Sequence, residues 1–118
     1  MDAVQINELK TSYYEYIAKV PQGLQTIVDL LASNELEQAF NSIANLAEGL
    51  EFLLKVEQAL KEENLHINSR IIEVVEIYGE INGGLVNGDY VLLKDLVEYE
   101  LIPVFSSASE WVFQEEVK

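Results

Sequence analysis

Leu36, Ala39, Ile43, Leu46, Leu50 and Leu53 recur at alternating steps of three and four, with Phe40, Ala47 and Leu54 beside them. A seam of that period is satisfied only by a helix laid along other helices, so it constrains the architecture more than any other stretch. Continuing the count, the next seam position is Glu57 and the one after it is Leu60. An acid therefore stands where packing asks for an apolar side chain. This helix is predicted from about Glu35 to Glu63, ending near Asn64.

Three more helices are expected around it. Ile6, Leu9, Tyr13, Tyr16 and Val20 step by three and four, and the series resumes at Leu24, Ile27 and Leu31 beyond Pro21. The favoured reading is one helix from about Ala3 to Ala32, kinked where the proline frees the Ile17 carbonyl, with two shorter helices as the fallback. Ser33-Asn34 reads as the break. Ile67, Ile71, Val74, Tyr78, Ile81 and Leu85 define the third helix, on which Gly79 and Gly83 lie one turn apart and permit close approach of another helix. Gly83-Gly84 costs that helix about 1 kcal/mol per glycine, so fraying is expected after Ile81. Asn87-Gly88 is a turn signal, Asp89 can cap a helix starting at Tyr90, and the last helix is expected from Asp89 towards Glu116 with a kink at Pro103. It is apolar round most of its circumference, which predicts several packing neighbours and deep burial.

No run alternates with the period of a strand. Four helices with short connections favour an all-α, antiparallel up-down-up-down four-helix bundle with proline-kinked first and last helices. A length of 118 residues makes residues 1–118 a single domain, and 49% apolar residues against 24% charged supply a core and exclude disorder. Seven Lys and Arg against 21 Asp and Glu leave a formal charge of -14, which repels phosphate backbones and anionic headgroups. Nucleic acid and membrane are thus poor partners. With no cysteine, disulfides, thiolate metal sites and cysteine nucleophiles are excluded. An acidic N-terminus and a longest apolar run of only Leu101 to Phe105 fit a soluble, cytoplasmic protein.

On a wheel of about 100° per residue, Leu92, Leu96, Tyr99 and Pro103 form one seam of the last helix and Leu93, Val97, Leu101 and Val104 another. Glu100 falls between them, whereas Lys94, Asp95 and Glu98 face solvent. Residue counting puts Glu100 and Glu57 at similar heights, near Lys10, Tyr13 and Tyr14 of the first helix. Two carboxylates and one or two phenols are then candidates for a polar layer, which must be hydrogen-bonded, wet or open to a ligand. The commoner arrangement is that each acid edges out to solvent at a helix boundary.

Other chemistry lacks parts. Glu63-Asn64-Leu65-His66 has the Glu-x-x-His spacing of di-metal bundles, but His66 is the chain's one histidine and the second half-site cannot form, so no metal or other cofactor is expected. His66 reads as a surface or capping residue. Ser106, Ser107 and Ser109 have no histidine nearby in sequence, and Gly83-Gly84 with Gly88 lacks the spacing and lysine of a phosphate loop. Tyr16, Trp111 and Phe113 are candidate interface residues, because the last helix outruns the third by roughly ten residues and leaves Trp111 without cover.

Gly88-Asp89, Asp95-Leu96-Val97, Glu98-Tyr99-Glu100-Leu101 and Pro103, with Tyr16-Ile17 before Pro21-Gln22-Gly23-Leu24 and Glu48-Gly49-Leu50-Glu51, resemble a family of small acidic bacterial proteins of unknown function. The resemblance spans most of the chain and implies a helical bundle in a bacterial cytoplasm, and no activity. Three functional readings stand together. The first is a non-catalytic, self-associating protein-interaction bundle. The second is a small export chaperone or adaptor binding an amphipathic client helix. The third is a ligand-binding or hydrolytic bundle using Glu57 and Glu100.

Overall fold

Asp2 starts the first helix. Its carboxylate accepts the Gln5 N–H at 2.8 Å while Gln5 Oε1 accepts the Asp2 N–H at 3.1 Å, a reciprocal box that satisfies two of the orphan donors of a helix start. In the computed structural model, which describes residues 1–115, α1 then runs unbroken over Ala3–Ala32 with Pro21 inside it. One helix, not two, is formed. Ser33 Oγ donates to the Asp29 carbonyl at 2.7 Å and Asn34 turns through a positive φ of 59°, which breaks the chain where Ser33-Asn34 predicts it.

The heptad seam lies in α2 (Leu36–Glu62), whose buried side includes Ala39, Ile43, Leu46, Leu50, Leu53 and Leu60. Asn64, at φ 63°, ends it. Here the structure departs from an all-helical reading. Leu65–Ile67 is a strand, β1, paired antiparallel with β2 (Phe113–Glu115) in the register Leu65 to Glu115, His66 to Gln114 and Ile67 to Phe113. Three-residue strands are too short to show a period, so neither announces itself in the sequence. Asn68 fastens the pair: its Nδ2 donates to the Glu110 carbonyl at 3.2 Å and its Oδ1 accepts the Val112 N–H at 2.7 Å.

The third helix accordingly starts at Ile71 rather than Ile67, and α3 (Ile71–Asn87) continues past the point where fraying is expected. Gly88 closes it in the left-handed region at φ 66°, a conformation glycine adopts without a Cβ penalty. Gly84 has a packing use, because a Cβ there would come within 2.9 Å of Leu93 Cδ2 across the hairpin. Asp89 then caps α4 (Tyr90–Asp95), accepting the Leu92 N–H at 3.1 Å.

The last helix is not one rod. After α4 come a π-helical segment at Leu96–Leu101, α5 at Ile102–Ser106 and a 3-10 turn at Ser107–Glu110. The Ile102 N–H reaches back five residues to the Val97 carbonyl, just ahead of Pro103, which has no N–H to give. Trp111 is extended, and the chain turns back to lay β2 against β1. The expected helix end at Glu116 lies outside the described residues. Nor is this the best-buried helix: Leu93, Val97, Leu101 and Val104 are buried, but Tyr90, Val91, Leu92 and Tyr99 are exposed. Of the two predicted seams, one is buried along its length and the other chiefly at Leu96. One hydrophobic core runs along a molecule of 48 × 23 × 22 Å, bounded chiefly by α1, α2 and the segment from α4 to α5.

Candidate functional site

Glu57 stays on the α2 seam and meets hydroxyls from two other elements. Tyr13 of α1 donates its phenolic O–H to Glu57 Oε2 at 2.6 Å, and Ser69, in the turn between β1 and α3, donates to the same oxygen at 2.9 Å. The Tyr13 bond is short, as expected for a charged acceptor, and the Ser69 bond is of ordinary length. Burial pushes the Glu57 pKa above the usual carboxylate value, and the two hydroxyl donors pull part of the way back. Tyr13 is 0% exposed, and burial together with the Glu57 carboxylate drives its phenol far above its ordinary value, so it remains an O–H donor throughout the accessible pH range. An acid at a seam position is tolerated because the structure brings two donors to one of its oxygens.

Around this pair lies an aromatic corner. The Tyr13 ring meets Phe113 edge-on at 5.1 Å and Tyr14 at 6.0 Å, while the Tyr14 hydroxyl accepts the Phe113 N–H at 3.0 Å. The polar layer therefore ties α1, α2, the turn before α3 and β2 together at one end of the molecule. Its chemistry is that of a joint. Three surface grooves, of about 310, 570 and 420 Å³, are lined by none of Tyr13, Glu57 and Ser69.

Glu100 is not part of this layer. It is exposed, because its helix buries chiefly the seam through Leu93, Val97 and Leu101, and because the π-helical segment that contains it breaks the even 100° spacing assumed by the wheel. Two carboxylates are thus not brought together, and the two-acid site has no geometry. Lys10 is half-buried beside Asn7, Glu63 and Glu115, lining a groove of about 420 Å³. His66 is exposed on β1.

The expected interface residues are corrected in the same way. Trp111 is 3% exposed, packed against Phe105 at 5.9 Å, and Phe113 is buried against Tyr13. The stretch expected to overrun α3 folds back and covers itself. Tyr16 is half-buried, stacked edge-on to Phe52 at 5.9 Å with its hydroxyl lying over Gly49, where a side chain would collide with it.

Two further grooves flank α1. One, of about 310 Å³, has Val20, Leu24, Ile27 and Leu46 as its floor and Tyr16, Lys19, Ser42 and Asn45 at its rim. The other, of about 570 Å³, lies between Tyr14, Ile17 and Pro21 on one side and Phe105, Trp111 and Val112 on the other. Among the described residues, no group of three or more His, Asp or Glu is placed to hold a metal ion.

A family model for a domain of unknown function, DUF8042, matches residues 8–110. The chain belongs to the DUF8042 family. Comparison with curated proteins and with solved structures gives no match. The span shared with DUF8042 contains Tyr13, Glu57, Ser69 and all of α3, and stops just before Trp111 and β2.

In this DUF8042 domain apolar side chains stay exposed at Tyr90, Val91, Leu92 and Tyr99 of the last helical segment, and along a longer face of α3. Ile71, Val74 and Ile81 are buried, and the Tyr78 hydroxyl donates to the Ile43 carbonyl at 3.0 Å. On the far side, Ile72 is 73% exposed, Val75 is exposed and Val86 is 86% exposed. Between Val75 and Val86 sit Gly79 and Gly83, where a Cβ would meet nothing within 4 Å. The close approach that their spacing permits is not used by any described residue of the chain. Among the described residues, α1 and α2 expose one large apolar side chain each, Val4 and Leu54.

Proposed function

We propose that the protein is a non-catalytic protein-interaction module that presents the outer face of α3 to a protein partner. The observation that carries this reading is the stripe Ile72, Val75, Gly79, Gly83 and Val86, apolar or open and facing solvent. Exposed apolar surface arranged along one helix face costs solubility, and contiguous patches of this kind mark interaction surfaces. Self-association through Trp111 and Phe113 loses its support, since the chain itself covers both. Docking of a partner's helix fits the stripe better. The setting for this reading is a cytoplasmic bundle of up-down-up-down topology, supported by a chain without cysteine. Among the described residues, no helix is long and apolar enough to cross a membrane.

Incorporating a photo-crosslinking residue at Val75, and separately at the exposed control position Gln25 on α1, tests it. A discrete protein adduct is expected from Val75 in cells and none from Gln25. Equal labelling at both positions, or none at either, overturns the reading.

A further inference from the structure

Resting on α3 as a docking face, we infer that its occupant is an amphipathic helix with a narrow apolar seam and an edge bearing Lys or Arg. Three features of the stripe specify that partner. Its length, from Ile72 to Val86, is ~21 Å at 1.5 Å per residue, which matches about four turns of a partner helix. Its profile is low in the middle and raised at the ends: Gly79 and Gly83 offer bare backbone, with Ile72 and Val75 on one side and Val86 on the other. Another helix can therefore cross there closer than the usual 8–10 Å between axes, provided its own contact residues are small.

Charge selects the edge. α3 carries Glu73, Glu76 and Glu80 and not one Lys or Arg. On a wheel of about 100° per residue these acids lie roughly 40° to 100° round from Ile72, all on the same side of the stripe. Arg70 is already engaged by Glu73 through two bonds of 2.6 and 2.8 Å, which leaves Glu76 and Glu80 facing whatever sits in the seam. A partner with a basic edge meets them directly. A second copy brings the same acidic edge and a further formal charge of -14, which opposes association.

The test uses the full chain and three synthetic helical peptides of about 20 residues, long enough to span ~30 Å. One has a Leu/Ala seam with a Lys edge, the second the same seam with a Glu edge, and the third the composition of the first in scrambled order. Fluorescence anisotropy is expected to give binding of the Lys-edged peptide at least about tenfold tighter than either other peptide, weakening as salt rises. Gly79→Leu should abolish it. That variant keeps its fold, because its side chain enters open space and glycine is a poor helix former, and circular dichroism verifies this. Glu76→Lys with Glu80→Lys should reverse the preference towards the Glu-edged peptide. If both seamed peptides bind alike and both are lost with Gly79→Leu, the docking face stands and the inference about charge falls. If the scrambled peptide binds as well as the Lys-edged one, simple attraction between opposite charges explains the result and the inference falls. A dimer in sedimentation that Gly79→Leu dissolves makes a second copy the occupant and overturns it, and silence from all three peptides overturns it too, while crosslinking at Val75 decides the docking face independently.

Discussion

The joint between Tyr13, Glu57 and Ser69 makes a quantitative claim that a double-mutant cycle can test. In Glu57→Leu the Tyr13 hydroxyl, on a side chain with 0% exposure, loses its acceptor at 2.6 Å. An unmade bond of a buried polar group costs about 1–3 kcal/mol. Ser69 is half-exposed and can turn to water, so it adds little. Tyr13→Phe keeps the ring and its contacts with Phe113 but takes one of two donors from a half-buried carboxylate, for which about 1–2 kcal/mol is expected. Each single change counts the same bond, so the double variant should cost less than the sum by about 1 kcal/mol or more. Urea unfolding at pH 7 measures all four corners. At ~2.1 cal/mol/K of unfolding entropy per residue, each kcal/mol moves the Tm of a chain this size by about 4 °C, a second reading of the same numbers. Additive costs within the error of the cycle would refute the joint.

Glu57 also sets a sign for pH. Its folded pKa lies above its unfolded value, so its contribution to stability is complete below the unfolded value and is lost as pH rises through the folded one. Acidification from neutral pH towards the mid-4s should therefore stabilise the wild type more than Glu57→Gln, compared as a difference so that the general relief of the negative charge cancels. Trp111→Ala should destabilise by about 3–5 kcal/mol in urea unfolding, with the sedimentation coefficient unchanged, because the ring is packed inside its own chain. Asn68→Ala removes both bonds that fasten the strand pair and should cost about 1 kcal/mol, with faster amide hydrogen exchange at Val112. Gly84→Ala should destabilise, because its Cβ presses on the fully buried Leu93, whereas Gly79→Ala should stabilise by about 0.5–1 kcal/mol, both read from unfolding midpoints.

Long helices are legible in the sequence because period carries over many residues: the α2 seam, the stripe of α1 through Pro21, the cap at Asp89 and the break at Asn34 all arise from spacing and residue type. Glu57 is legible for the same reason, as an exception within a regular series. Ser69 is not, because a serine in a turn becomes significant only when β1 is known to precede it. β1 and β2 depend on one another across about fifty residues, and a pairing of three residues leaves no local pattern. Glu100 is misplaced by an ideal wheel drawn through a segment that Pro103 and its neighbours fold as a π-helix. Trp111 is misplaced because counting helix lengths cannot foresee that a chain will turn back.

The three glycines of α3 separate what the fold needs from what it does not. Each forfeits about 1 kcal/mol of helix stability relative to alanine, in a protein whose whole margin is about 5–15 kcal/mol. At Gly84 the forfeit is offset inside the chain, since it lets Leu93 pack fully buried against the backbone. At Gly79 and Gly83 no described part of the chain makes use of it, and the exposed Ile72, Val75 and Val86 on the same face add the cost of apolar surface in water. A surface helix free of outside contacts has every reason to carry alanine at the first pair and polar residues at the second set. Both departures are accounted for by one partner helix crossing close over the glycines and covering the three aliphatic side chains, which is why alanine at Gly79 should raise stability and weaken binding in the same molecule.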